Sequence, residues 1–303
     1  VPDPRRGLLL GVGAYTIWGA FPLYWPLLEP SGAVEILAHR MVWSSLVMGL
    51  LLLVLRRVSA VRAIAADRRV RLVLLVAAVT ITVNWVTYIY GVNSGRVVET
   101  SLGYFINPLV TMLLGVVVLG ERLRPLQWGA AAVAAVAVLV LSLDYGRVPW
   151  IALVLAFSFG FYALAKKSAS VGPVESLSFE TALVAPVALG YLVWLGAAGR
   201  STFASEGLVH ALLVPTTGIV TAIPLLLFGA AAVRVSMVSL GLLQYLAPII
   251  QFTLGLVVFD EAMTPGRWAG FALVWAALVV FTVEALRHHR RQLVLAAEAS
   301  PAV

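Results

Sequence analysis

Apolar runs of about 20 residues follow one another almost from end to end of the chain, broken only by short clusters of glycine, proline and charge. Coiled as an α-helix, a run of that length matches the hydrocarbon thickness of a bilayer. Ten such segments can be marked, at 7–28, 34–55, 71–92, 97–119, 125–143, 149–167, 174–196, 208–231, 235–259 and 265–286. In lipid the backbone must bond to itself, so each is read as a helix despite abundant valine. Joints such as Glu29-Pro30-Ser31-Gly32, Asp144-Tyr145-Gly146-Arg147, Val171-Gly172-Pro173 and Thr264-Pro265-Gly266 are too short to hold a soluble domain. Composition agrees. Hydrophobic types make up 61% and charged types 12% of 303 residues, where a soluble domain carries roughly a quarter charged. The expected class is an all-α membrane protein with ten transmembrane helices.

Charge sets the orientation. With the N-terminus in the cytoplasm, the inner side holds sixteen of the 21 basic residues: Arg5, Arg6, Arg56, Arg57, Arg62, Arg68, Arg69, Arg71, Arg122, Arg124, Lys166, Lys167, Arg234, Arg287, Arg290 and Arg291. The outer side holds four, Arg96, Arg147, Arg200 and Arg267, and Arg40 lies within a span. Both termini are therefore expected in the cytoplasm, an arrangement that an odd number of spans would break. The net charge of +7 is read as topological anchoring, with no nucleic-acid partner, and the basic tail 288–303 as cytoplasmic. Arg5-Arg6 before the first run resembles a secretion signal, but no small-residue cleavage site follows, so that run is read as a retained helix. Absence of cysteine excludes disulfides and thiolate metal sites.

The sequence also repeats itself at an offset of 140. Over 101–128, nine of 28 positions match those of 241–268. Pro108 meets Pro248, Gly115 meets Gly255, Glu121 meets Glu261, Pro125 meets Pro265 and Trp128 meets Trp268, matches that hydrophobic bias alone does not generate. The offset joins span 4 to span 9 and span 5 to span 10, dividing the chain into five-helix repeats at 1–145 and 146–287. Five is odd, so the second repeat is inverted, an architecture associated with alternating-access transporters whose site lies near the midplane.

Polar side chains at mid-span depth are few: Asn84, Tyr88, Tyr104, Asn107, Tyr162, Thr217, Thr221, Gln244, Tyr245 and Gln251, with Trp18 and Trp85 at similar depth. Pro108 and Pro248, both expected mid-span, would free the carbonyls of Tyr104 and Gln244. The candidate solute site is Trp18, Asn84, Trp85, Tyr88, Tyr104, Asn107, Tyr162, Gln244, Tyr245 and Gln251; interhelical hydrogen bonding is the competing role for each. His39-Arg40 reads as the only charged pair well inside a span. With Glu35 one turn earlier, and Glu99 near the outer mouth, it forms a candidate coupling site or structural ion pair. Glu121 and Glu261, at helix ends, need an arginine or a neighbouring helix N-terminus. Gly7, Gly11, Gly115 and Gly129 read as helix-packing positions. No phosphate-binding loop, zinc-peptidase motif or nucleophile triad is present.

Certain strings resemble the RarD branch of the EamA transporters: Trp18-Gly19 with Pro22-Leu23-Tyr24-Trp25, Glu35-Ile36-Leu37-Ala38-His39-Arg40, Asn84-Trp85 with Tyr88, and Ser101-Leu102-Gly103-Tyr104-Phe105-Ile106-Asn107-Pro108-Leu109. In the second half Phe157-Ser158-Phe159-Gly160-Phe161-Tyr162 and Leu243-Gln244-Tyr245-Leu246-Ala247-Pro248 are similar too. The resemblance implies a drug/metabolite transporter with ten helices, cytoplasmic termini, inverted five-helix halves and a central cavity lined by spans 3, 4, 8 and 9, with parts of 1 and 6. The expected function is secondary transport of a small metabolite or drug-like solute, amino-acid-like compounds foremost, across the cytoplasmic membrane. The alternative is a membrane-embedded enzyme or lipid-handling protein. Partners are the solute and the bilayer, with no cofactor; coupling ion and oligomeric state are left unassigned.

Overall fold

The computed structural model describes residues 4–120, 123–169, 171–232, 234–235 and 242–298. Among the described residues the secondary structure is helical, without strands. The helices are α1 (Pro4–Tyr24), continued by a 3₁₀ turn Trp25–Leu28, α2 (Ala33–Val54), α3 (Val58–Ala66), α4 (Arg68–Asn93), α5 (Val97–Leu119) and α6 (Pro125–Tyr145). They continue as α7 (Trp150–Ala169), α8 (Pro173–Ala197), α9 (Gly207–Leu213), α10 (Thr216–Ala232), α11 (Leu246–Val257) and α12 (Pro265–Glu298). Eight described segments are long and apolar enough to cross a membrane, with α9 and α10 counted as one; α7 and α11 supply two shorter apolar helices. Leu53, Val117, Leu139, Val187, Val209 and Val279 are exposed on six of these segments. Water would penalise that much apolar surface, whereas lipid is its natural solvent. The protein is a multi-pass membrane protein.

Local chemistry explains the breaks. Asp67 starts α4 by accepting the N–H groups of Arg69 and Val70 at 2.8 and 3.0 Å. Gly120 (φ 67°) and Gly146 (φ 63°) end α5 and α6 in the left-handed conformation that glycine adopts without a Cβ clash. Most segments fall within a few residues of their expected limits, and four differ. The basic loop after span 2 forms α3, burying Ile64. Span 8 breaks at Val214-Pro215, where proline opposes continuation of the helix before it. Pro248 is not mid-helix: α11 begins at Leu246, so this proline sits in the first turn, where its missing N–H is no loss. Finally, α12 continues past the membrane-length segment to Glu298, so the basic tail starts helical.

The connections sort into two groups by contact. At one end Glu35 Oε1 accepts from Thr202 N at 2.8 Å, Arg147 pairs with Glu99 at 2.6 Å and Arg267 with Asp144 at 3.1 Å. Glu261 caps the N-terminus of α5 through the N–H groups of Val97 and Val98. At the other end Arg57 pairs with Glu175 at 2.7 Å, and Arg124 with Glu284. Glu261 thus meets a helix N-terminus, one of its two expected partners; Glu121 lies outside the described residues.

The 140-residue offset also relates helix starts, Ala33 to Pro173 and Pro125 to Pro265. Yet the sequence halves are not separate bundles. α6 lies along α12, α4 and α5 along α7, α2 along α8 and α10, α1 along α10 and α11, and α11 along α5. Each of these contacts joins a helix before residue 146 to one after it. Two apolar cores dominate among the described residues, beside two smaller clusters. One is built from α5, α6, α11, α12 and part of α7. The other uses α1, α2, α4, α8, α10 and the neighbouring residues of α7.

Small residues set the closest approaches. A Cβ on Gly103 of α5 would lie 2.8 Å from the carbonyl oxygen of Ala152 and from Leu155 Cβ on α7. Gly7 and Gly11 make similar approaches to Arg234 and Leu243. Gly129 has nothing within 4 Å, so its expected packing role is not realised among the described residues. Gly103→Ala should therefore cost about 1–3 kcal/mol through overpacking, whereas Gly129→Ala should be neutral or stabilise by up to about 1 kcal/mol. Thermal unfolding of both variants in detergent checks this; equal transition temperatures would contradict it.

Candidate functional site

Helix periodicity and a shortage of water together bring several polar groups into one buried seam. Asn84 and Tyr88 are four residues apart on α4, hence on one face. Asn84 is 1% exposed; its Nδ2 donates to Leu155 O at 2.9 Å and Ser158 Oγ at 3.1 Å on α7. Its Oδ1 accepts from Tyr104 OH at 3.1 Å, on the turn of α5 that precedes Pro108. The Tyr104 ring meets Tyr88 edge-on at 5.6 Å and Phe159 at 6.3 Å.

Arg40 lies beside this group, two turns into α2 and 2% exposed. Its Nε donates to Thr221 Oγ1 on α10 at 2.8 Å. Its guanidinium carbon stands 3.7 Å from the Trp85 ring centroid, 5.1 Å from Trp25 and 5.8 Å from Phe21. Cation–π attraction to three rings replaces part of the hydration the cation lost. A second link crosses between the halves where Gln251 Nε2 of α11 donates to Trp18 O of α1 at 3.2 Å. Trp18 packs against Tyr15 and Phe228 at 5.3 and 5.8 Å.

The structure thus brings together Asn84, Trp85, Tyr88, Tyr104 and Arg40, while Trp18, bonded to Gln251, packs against the same apolar core. It separates the others. Asn107 accepts from Thr111 at 3.3 Å within α5. Tyr245 packs into the α5–α6–α12 core, and half-buried Gln244 lies on the turn before α11. Tyr162 stands nearer the opposite end, with Lys166 Nζ 5.4 Å from its ring. Among the coupling candidates, Glu35 bonds to Ser201 and Thr202, and Glu99 bonds to Arg147 and Ile151 N. The His39 ring stacks 5.1 Å from Phe203, its Nε2 without a partner. No carboxylate pairs with Arg40 among the described residues.

A second buried charge escaped the sequence reading, so His39-Arg40 is not the only charged pair inside a span. Glu180, in the second turn of α8, is 2% exposed and pairs with Lys166 at 2.8 Å; Ser176 Oγ also donates to it at 2.6 Å. The signal was available: a shift of 140 puts Glu180 on the position of Arg40 and Glu175 on that of Glu35.

The seam is closed in this conformation. A void of about 10 Å³ beside Trp85, Met41 and Glu180 is at the lower limit for one water. A cleft of about 350 Å³ opens where α2 begins and α4 ends, lined by Glu29–Ala33, Tyr90, Asn93 and Ser94.

Comparison with known proteins adds lineage to this geometry. A model of the EamA-like transporter family matches residues 5–143. Protein RarD of Streptomyces exfoliatus is 58% identical over 99% of this chain and 96% of its own length. The chain belongs to the RarD-type branch of the EamA family. An uncharacterized transporter of Vibrio cholerae is 41% identical, covering 94% of each chain. A solved structure described as "Crystal structure of protein" aligns over 93% of this chain and 98% of its own with a TM-score of 0.58 and 20% identity, a likeness of fold alone. The chain is therefore a membrane transporter of the EamA family whose central helices enclose a closed polar seam.

Outside the membrane segments, burial pushes the Glu261 carboxyl up to about 7, outweighing the Val98 and Val97 N–H groups and Arg267, which act to lower it. The folded chain consequently holds a proton there that the unfolded chain releases near 4.5. Glu261's contribution is fully present below that lower value and is lost as pH rises through about 7. Between about pH 5 and pH 8 the transition temperature should fall, and Glu261→Gln, neutral throughout, should flatten that slope. An unchanged slope in the variant would contradict the assignment.

Proposed function

We propose that the chain is a secondary transporter carrying a small metabolite or drug-like solute, amino-acid-like compounds foremost, across the cytoplasmic membrane by alternating access. Ten crossings, two inverted five-helix repeats and cytoplasmic termini complete the reading. Family membership, eight long and two shorter apolar helices, the grouping of connections at two ends, and the basic-residue bias all support it. The observation that carries it is the seam itself. Arg40 of the first half bonds to Thr221 of the second, and Gln251 of the second half bonds to Trp18 of the first, both at mid-helix depth. Polar groups at that depth are costly unless they serve packing or solute, and here they lie on helices that belong to opposite repeats.

The moving parts differ from a simple rocking of sequence halves. Because the helices interleave, the rigid bodies are the two mixed cores, one around α5, α6, α11 and α12 and the other around α1, α2, α8 and α10. The seam, including the Tyr104–Asn84 bond and the α1–α11 contact, runs where they meet. Sliding there exchanges few strong interactions and opens the seam toward one end at a time. No nucleotide-binding loop is present, so the drive is a solute or ion gradient.

Purified protein in liposomes, assayed with a panel of radiolabelled amino acids and small metabolites, should show saturable flux of at least one solute. Asn84→Ala should reduce that flux by at least about tenfold, while Val118→Ala on the lipid-facing side should leave it unchanged. Chemical turnover of a solute in detergent, without a sealed compartment, would overturn the reading.

A further inference from the structure

The surroundings of Arg40 form a set of donors that lacks an acceptor. Arg40 carries five N–H donors and no acceptor, and its only hydrogen bond among the described residues uses one of them, Nε to Thr221. The Tyr88 hydroxyl, 3% exposed, has no hydrogen-bond partner. Neither has Nε1 of Trp25, which is fully buried beneath the guanidinium. The nearby phenols of Tyr24 and Tyr104, by contrast, are already bonded to Thr216 and Asn84. Glu180, which lines the void beside Trp85, bonds to Lys166 and Ser176 through Oε1; its Oε2 has no partner, but neither oxygen pairs with Arg40. Packing alone would favour rings without polar atoms here, or an arginine paired with a carboxylate, because unmet donors in hydrocarbon are costly.

We infer that Arg40, with Tyr88 and Trp25, receives the carboxylate of an organic monoanion, so that the transported solute is acidic. The inference rests on the transport reading above and adds the solute's charge to it. A guanidinium fork matches a carboxylate with two parallel bonds, and one buried cation balances one negative charge, whereas a phosphate dianion would leave an excess. Trp85, 3.7 Å from the cation and bordering the small void, supplies an apolar surface for the rest of the solute. An entry route exists. The 350 Å³ cleft is lined by Ala33 and Asn93, and Arg40 and Trp85 lie below them on the same helices by roughly 10 and 12 Å at 1.5 Å per residue. The void beside Trp85 is too small for a solute, so the carboxylate reaches Arg40 only when the seam opens toward that cleft.

The test is thermal stabilisation of the purified full chain in detergent, comparing phenylacetate with phenylacetamide, which has the same shape but no charge, and with inorganic phosphate and chloride. Phenylacetate at about ten times its Kd should raise Tm by roughly 2 °C and alter tryptophan fluorescence, while the amide should do neither. Arg40→Gln should abolish the carboxylate response. Tyr88→Phe, which keeps the ring, should weaken binding by about five- to tenfold and serves if the arginine variant fails to fold. Equal stabilisation by the amide, an undiminished response in either variant, or no response to phenylacetate up to about 10 mM would overturn the inference. A larger response to phosphate or chloride would mark a general anion site and overturn it also. Flux of a neutral solute without carboxylate binding would remove the acidic solute and leave transport standing. Carboxylate binding without flux of any solute would do the reverse.

Discussion

Hydrocarbon offers no hydrogen bonds, so every polar group inside the bundle must find a partner in the protein or hold a place for one that arrives. Most of the architecture follows from that condition. Backbone groups close on themselves in helices. Helix starts exposed at the loops are met by carboxylates: Glu261 at Val97 and Val98, Glu99 at Ile151, and Asp67 at Arg69 and Val70. Arginines at the same ends then neutralise several of the buried acids. Deeper in the bundle, Asn84 has all its major partners, whereas Arg40 rests on aromatic faces and a single threonine. The contrast between a satisfied amide and an incompletely satisfied guanidinium is what marks Arg40 as the proposed solute contact.

The two sequence halves interleave, and the proposed transport motion depends on that. Had each repeat formed its own bundle, motion would hinge on one interface near residue 146. Instead α6 pairs with α12 and α2 with α8, so each rigid unit contains helices of both orientations. Under the proposed alternating access, one set of contacts would close the seam at one end and its counterpart at the other. Small residues at the α5–α7 contact, such as Gly103, keep these units tightly packed while the seam between them carries weaker polar contacts.

Much of this was legible in the sequence because membranes simplify the code. Hydropathy marked the helices, charge asymmetry argued for an even count, and the 140-residue offset anticipated the paired helix starts. Asn84, Trp85, Tyr88 and Tyr104 were picked out as polar or indole groups at mid-span depth, and they do converge. Depth alone failed to separate them from Asn107, Tyr162 and Tyr245, because depth says nothing about which face of a helix points where. Pro248 misled for another reason: hydropathy continues smoothly through 235–259 although a turn at Gln244-Tyr245 precedes a helix that begins at Leu246. Glu180 was overlooked because, at the same depth as Arg40, it has no charged neighbour within a helical turn; its partner Lys166 comes from another helix, α7.

The central claim is that the closed seam opens to water from each side in turn. The chain has no cysteine of its own, so Ser158→Cys, a near-isosteric change beside Asn84, places a single reactive thiol at its centre. Membrane-impermeant maleimide should label this thiol both in right-side-out and in inside-out vesicles, with the balance between the two shifted by a transported solute. Labelling from neither side would contradict alternating access, and labelling from one side alone, whatever solute is present, would reduce the seam to a fixed cavity.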